Sequence, residues 1–369
     1  MNVLLKCVVR YVVSFELDFK GWRERNTVNT VPYTSSIPQL PRDTHPLGNF
    51  NSKKITVVGM GQVGLGCIAS ILNQDICGTL AMIDIAPAAK KLEGEAKDFQ
   101  QGGGFHQTAT ILASSSYDVS EKSDLVIITA GVPQKPGESR LSLVERNAKI
   151  MGAIMPEVLR YSPKATIMIV SNPCDIMTAL ACKLAGPDFP QGKIFGTGTI
   201  LDSSRLQCLI AQSMDLDPRN VHGYIIGEHG DSSVPVWSSV RIGALPLLAP
   251  GQPVDDTLKA IHKAVIDSAY DVINLKGYTN WAIGMSVAYL AKAVLNDNRT
   301  ISPVSTCVRG LYGIEEDVFL AVPCSIGSQG VQRVAILPLT PEEEATLQKS
   351  AKGLWEVQKP IWEQLDSQN

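Results

Sequence analysis

Three glycines, Gly59, Gly61 and Gly64, stand in G-x-G-x-x-G order, and this short turn restricts the fold more than any other stretch of the chain. Alone the pattern is weak, because glycine-rich turns are common. Its surroundings sharpen it. The apolar run 55–58 precedes it, a helical pattern over 66–73 follows, and Asp84 closes the next apolar run, 80–83. Strand, glycine turn, helix and an acid about twenty residues on make up the complete dinucleotide fingerprint. Gly59 permits the tight turn, Gly61 lets backbone approach a pyrophosphate, and Gly64 lets the helix pack closely on the sheet. The positive end of that helix stabilises phosphate charge. At Asp84 a carboxylate accepts hydrogen bonds from both ribose hydroxyls and repels a 2′-phosphate. Ile85 and Ala86 supply no arginine for such a phosphate, so the pattern favours NAD over NADP.

Further short apolar runs at 125–129 and 166–170 are each followed by a turn and a longer segment. Strands alternating with helices predict βαβ units and a parallel sheet covered on both faces, so the strands can be apolar throughout. After about Gly196 the texture changes. Runs 221–226 and 331–338 read as strands of a second, antiparallel part, and 257–275 and 280–295 as long helices. Residues 341–361 read as a terminal amphipathic helix, with Leu347, Leu354, Val357 and Ile361 on one stripe. Glu342, Glu343 and Glu344 oppose the positive end of its dipole. The expected fold class is α/β: a Rossmann-type doubly wound parallel sheet followed by an α+β catalytic domain. The expected division is an extension over 1–52, a dinucleotide-binding domain over 53–195 and a substrate domain over 196–369.

The extension opens on an apolar run, 1–15, and continues into a Thr-, Ser- and Pro-rich stretch, 26–49, which reads as unstructured. Lys6, Arg10, Lys20, Arg23 and Arg25 would suit a targeting segment, whereas Glu16, Asp18 and Glu24 oppose one. The expected location is the cytoplasm, with an organelle-targeting role for the extension left open. A formal net charge of −3 leaves no basic footprint for a nucleic acid. No apolar run reaches the roughly 20 residues needed to cross a bilayer, so no membrane partner is expected. The eight cysteines are scattered without zinc-site spacing. No metal is therefore expected, and the thiols read as small buried groups in a reducing compartment rather than as four disulfides.

Four segments carry charged residues in tight or apolar settings. Residues 132–140 form a loop with Pro136 and Gly137 at its centre and Arg140 at its end, after a parallel strand, where α/β folds bind ligands. Asn172 ends another parallel strand. Asp202 and Arg205 share a helix. His229 lies between glycines after an apolar strand, while His45, His106, His222 and His262 are read as structural. Together these supply a set of roles. The histidine exchanges a proton near neutral pH. An aspartate beside it fixes the tautomer, one arginine binds a carboxylate bidentately, and a second stabilises charge on a reacting oxygen. That equipment suits reduction of a 2-keto acid.

The segments VGMGQVG, ITAGVPQKPGESRL, VSNPCDIMT, GTGTILDSSRL, GEHGDSSVPVWS and KGYTNWAIGMSVA resemble, in register, those of the L-lactate dehydrogenases within the lactate/malate dehydrogenase family. The resemblance runs from about Lys53 to Ile361. It implies His229 as proton donor and acceptor with Asp202 behind it, Arg205 on the substrate carboxylate, and Arg140 polarising the keto oxygen. It further implies that Asn172 contacts both substrate oxygen and the nicotinamide region, that Thr279 lines the substrate pocket, and that Ile283 backs the nicotinamide ring. A homotetramer, NAD, the pyruvate/L-lactate pair and a place in glycolysis and fermentation also follow from the resemblance alone.

Malate enzymes of the family carry an arginine six residues before the loop arginine, to pair a second carboxylate. Here Gln134 stands there, and burying that second charge beside a neutral amide is costly. Lactate is therefore expected over malate or a broader 2-hydroxyacid. A silent NAD-binding protein would be expected to lack one of the four charged groups, and none is missing. Two departures stand out. Pro133 replaces an arginine that vertebrate-type relatives place near the pyrophosphate. Gln207 replaces an arginine through which some bacterial relatives respond to fructose 1,6-bisphosphate, although the matching His222 is present, so no such activation is expected.

Overall fold

The computed structural model describes residues 52–108, 110–133, 140–249 and 251–366, without the side chains of Arg140 and 364–366. The extension up to residue 51 and Gln134 of the loop lie outside the described residues. The first half alternates as the apolar runs require: β1 (Lys54–Val58), α1 (Gln62–Leu72), β2 (Thr79–Ile83), α2 (Ala89–Gln101), β3 (Thr110–Ser114) and β4 (Leu125–Ile128). It continues with α3 (Arg140–Tyr161), β5 (Thr166–Ile169), α4 (Cys174–Ala185) and β6 (Ile194–Gly196). Then come α5 (Ile200–Ser213), the two-residue strands β7 (Val221–His222), β8 (Ile225–Ile226), β9 (Val234–Pro235), β10 (Arg241–Ile242) and β11 (Leu245–Pro246), and α6 (Asp256–Lys276). The chain closes with α7 (Trp281–Leu295), β12 (Thr300–Cys307), β13 (Phe319–Gly327), β14 (Gly330–Val334) and α8 (Pro341–Asp366).

One nine-stranded sheet runs β14-β13-β12-β6-β5-β4-β1-β2-β3. Its six parallel strands take the doubly wound order 3-2-1-4-5-6, and the order reverses between β1 and β4. That reversal opens a crevice at the carboxyl ends of the strands, where the glycine turn after β1 and the loop after β4 lie. β4 and β5 are buried at every residue, as a sheet with two covered faces demands. A main hydrophobic cluster surrounds this sheet, and a smaller one gathers Leu206, Ile210, Trp237, Val240 and Val265 beneath α5 and α6.

The structure departs from expectation in three places. The antiparallel strands β12 to β14 are not a separate sheet; they extend the parallel one through the Ser305–Gly196 pairing. Residues 221–226 are not one strand. β7 pairs β10 while β8 pairs β9, and between them Gly223 packs so closely on Val240 that a Cβ would lie 2.8 Å from that side chain. The last helix runs on past Ile361 to Asp366, carrying Pro360 within it. Its start is fixed by a reciprocal cap, in which Thr340 Oγ1 accepts from the Glu343 N–H and Glu343 Oε2 accepts from the Thr340 N–H.

Helices α1 and α7 meet backbone to backbone. A Cβ at Gly66 would lie 2.7 Å from the Asn280 carbonyl oxygen, and one at Gly284 would overlap the Gly66 carbonyl oxygen. Backbone cannot yield as a side chain tip can. G284A is expected to cost about 1–3 kcal/mol of stability, read as a lowered thermal midpoint. A midpoint equal to that of the parent would contradict this packing.

Among the described residues, no helix is long and apolar enough to cross a membrane, and no His, Cys, Asp and Glu cluster could hold a metal ion. The seven described cysteines are free thiols, and burial pushes those of Cys67 and Cys174 up to about 12.

Candidate active site

The glycine turn is built as its sequence predicts. Gly59 adopts φ +99°, a conformation suited to glycine, and a Cβ there would sit 2.6 Å from the Ala130 amide nitrogen. Thr129 Oγ1 donates to the Gly59 carbonyl oxygen at 2.7 Å, which ties the turn to the end of β4. At Gly64 a Cβ would overlap the Gly59 carbonyl oxygen, so only glycine lets α1 start so close to the strand. Gly61 is the opposite case: a Cβ there would meet nothing within 4 Å. It precedes the first turn of α1, which no side chain caps. Uncapped N–H groups facing open space form a cradle for an anion.

Asp84 follows β2 and reaches across to the same turn. Its carboxylate accepts from the Met60 N–H at 3.0 Å and the Ile85 N–H at 2.7 Å. A carboxylate offers about four acceptor sites, so two remain for ribose hydroxyls. An uncapped helix end, an open glycine and a carboxylate one strand away fit the phosphate and ribose portions of a dinucleotide.

Across the crevice, α5 carries Asp202 and Arg205 three residues apart, hence on one face. Both side chains are largely buried. Asp202 Oδ1 accepts from the Arg205 guanidinium at 2.9 Å, and its Oδ2 pairs with His229 Nδ1 at 2.6 Å. One carboxylate thus serves two cations. Burial pushes the Asp202 carboxyl up, but the His229 and Arg205 charges and hydrogen bonds outweigh it and hold it below the ordinary carboxylate range. An ionised carboxylate can only accept, so Nδ1 carries the hydrogen. The Asp202 charge in turn raises the His229 pKa above its ordinary value; burial opposes this, and the Asp202 hydrogen bond adds to it.

His229 Nε2 has no partner among the described residues, and the side chain stays 28% exposed. It is free to pass a proton to whatever enters the crevice. Arg205 makes one hydrogen bond among the described residues, to Asp202, leaving most of its donor fork open.

Asn172 ends the turn after β5, exposed on the crevice side of its strand. Its carbonyl oxygen accepts from Asn147 Nδ2 at 2.7 Å. Asn147, on α3 and 3% exposed, also exchanges hydrogen bonds with the N–H and carbonyl of Val132 at 2.9 and 3.2 Å. It therefore clamps the base of the 132–140 loop to the Asn172 turn. No motif or spacing in the sequence marks Asn147.

Arg140 is the first residue of α3, and its side chain lies outside the described residues, as does Gln134. Thr279 sits half-buried between α6 and α7, and Ile283 lies in the first turn of α7, packed against the main core. Of the other histidines, His222 is exposed on β7, and His262 on α6 lies 3.2 Å from Ser233 Oγ. Gln207 donates to the Gly223 carbonyl oxygen at 3.2 Å.

Residues 53–196 match the family described as lactate/malate dehydrogenase, NAD binding domain, and residues 199–364 match lactate/malate dehydrogenase, alpha/beta C-terminal domain. The L-lactate dehydrogenase A chain of Ambystoma mexicanum is 48% identical over 313 residues, 84% of this chain and 93% of that protein. The L-lactate dehydrogenase A chains of Sphyraena idiastes and Sphyraena lucasana are each 46% identical over 321 residues, 86% of this chain and 95% of theirs.

Proposed function

The chain belongs to the lactate/malate dehydrogenase family, and on that footing we propose that it is an NAD-dependent L-lactate dehydrogenase, reducing pyruvate reversibly to L-lactate. The observation that carries the reading is the His229–Asp202–Arg205 arrangement: a histidine charged by a buried acid, with its Nε2 and most of the Arg205 donors unpaired among the described residues.

In the reducing direction the substrate carboxylate docks on Arg205 through paired N–H donors, fixing which face of the keto carbon is presented. His229 Nε2 donates its proton to the keto oxygen as that oxygen gains charge. Arg140 stabilises the same oxygen, with Asn172 as a further donor. When bound, NADH supplies the hydride to the keto carbon; proton and hydride together convert the ketone to the alcohol. Gly59, Gly61, Gly64 and Asp84 hold the dinucleotide, Ile283 gives its ring an apolar backing, and Thr279 lines the pocket. Gln134 offers no charge to a second carboxylate, and the methyl group of pyruvate needs none. In the oxidising direction His229, now neutral, accepts the hydroxyl proton.

The test is a steady-state assay of NADH oxidation with pyruvate and with oxaloacetate. Pyruvate is expected to win by more than tenfold in kcat/KM, and Q134R is expected to reverse the preference. Parity between the substrates in the parent would favour a broader 2-hydroxyacid enzyme, and no turnover despite NADH binding a silent protein.

The pH dependence follows from the raised pKa of His229. Pyruvate reduction needs the imidazolium, so its kcat/KM should hold through neutrality and fall only as pH climbs through a midpoint above about 6.5. Lactate oxidation needs the neutral ring and should rise through the same midpoint. A pyruvate limb falling below pH 6 would contradict the assignment.

A cytoplasmic homotetramer is part of the same proposal, as is the division into dinucleotide-binding residues 53–195 and substrate residues 196–369. Trp281, Met285 and Tyr289 form an exposed stripe at i, i+4 and i+8 on α7, with exposed Leu275 at the end of α6. Unpartnered apolar surface of this kind supports association with further copies.

A further inference from the structure

Asp175 is among the most buried acids of the molecule, 2% exposed in the first turn of α4. A buried carboxylate survives only with donors around it. Two of these are informative. Its Oδ2 accepts the backbone N–H of His229 at 2.9 Å, and its Oδ1 accepts the hydroxyl of Ser305, from the centre of β12, at 2.7 Å. Three separate parts of the fold, α4, β12 and the turn carrying the histidine, therefore meet on one carboxylate.

We propose that Asp175 is a positioning residue for the reaction: it pins the His229 turn in place and supplies a second negative charge that keeps the imidazole protonated. This rests on the reading of His229 as the proton carrier. The pinning follows from geometry. Nδ1 reaches Asp202 at 2.6 Å only while the turn holds its orientation, and the bond from the histidine's own N–H to Asp175 fixes that turn at its base. The charge follows from placement, since an acid bonded to the backbone of a residue lies within reach of that residue's ring.

The other charged groups around His229 can be named. Asp202 and Arg205 face it from α5, the first raising and the second lowering its pKa, and Asp175 from α4 acts in the same direction as Asp202. Glu228 and Asp231 lie on its own turn, Glu228 bonded to Ser232, and His262 on α6 lies within electrostatic reach of Asp202.

D175N tests the proposal, since the amide keeps the shape and can still accept from the His229 N–H while losing the charge. Imidazole titration of the cofactor-free protein by NMR is feasible with five histidines, and H229N identifies the resonance. The His229 midpoint should fall by about 0.5–1 pH unit, and the alkaline limb of pyruvate reduction should move with it. A uniform loss of activity with an unmoved midpoint would overturn the proposal. Should D175N fail to fold, S305A answers the same question. It keeps the carboxylate but removes a donor that shares its charge, so the midpoint should rise; an unmoved or lowered midpoint overturns the proposal. Failure of the underlying reading looks different: H229N would retain full turnover, whatever the midpoints do.

Discussion

H229N is expected to lower the turnover of pyruvate reduction between about a hundredfold and ten-thousandfold, the range spanned by a positioned general acid. The asparagine fills similar space and can still bond to Asp202, but has no proton to give near neutral pH. NADH binding should survive, because the glycine turn and Asp84 form their hydrogen bonds independently of α5. Stopped-flow turnover and NADH fluorescence titration separate the two effects. A drop of less than tenfold would remove the histidine from the chemistry. The variant should also lose the pH midpoint assigned to the imidazole, leaving a flat profile across neutrality.

R205K should be damaging as well, though less than H229N, even though lysine keeps the charge. Arg205 has two tasks, because it donates to Asp202 and still has donors left for a carboxylate. A lysine ammonium can satisfy one partner well but cannot present a planar fork to the other. Losing a charged hydrogen bond costs about 1.5–3 kcal/mol, so kcat/KM should fall roughly tenfold to a hundredfold, with KM carrying most of the loss. A KM for pyruvate unchanged from the parent would assign the substrate carboxylate to another group.

Much of this was readable from residue order. The glycine turn announced β1 and α1 because each glycine has its own steric reason, and Gly59, Gly61 and Gly64 meet three different surroundings in the structure. The pairing of Asp202 with His229 was legible only through family resemblance, since 27 residues separate them and no local periodicity connects them. Strand β12 escaped the reading for a different reason. Thr300–Cys307 buries Ser302, Ser305 and Thr306, so a central strand appears polar in sequence, and the Ser305 hydroxyl finds its partner on the buried Asp175. Asp175 escaped because two of its partners, a backbone N–H and a serine 130 residues away, leave no pattern in the chain. The split of 221–226 into β7 and β8 goes with the close packing of Gly223 on Val240, a tertiary contact that a run of strand-forming residues does not announce.

The crossing of α1 and α7 bears on how the molecule could be altered. One helix begins at the dinucleotide turn, and the other follows directly on Thr279 and carries Ile283 in its first turn. Their main chains touch at Gly66 and Gly284 with no side chain between them to absorb movement. On the proposed assignment of Thr279, Ile283 and the glycine turn, the wall beside the reacting carbon would be referenced to the seat of the cofactor phosphates. A redesign for bulkier keto acids therefore gains little by sliding α7 outward, which would disturb that seat too. It has to hold α7 in place and gain its room by changing side chains instead.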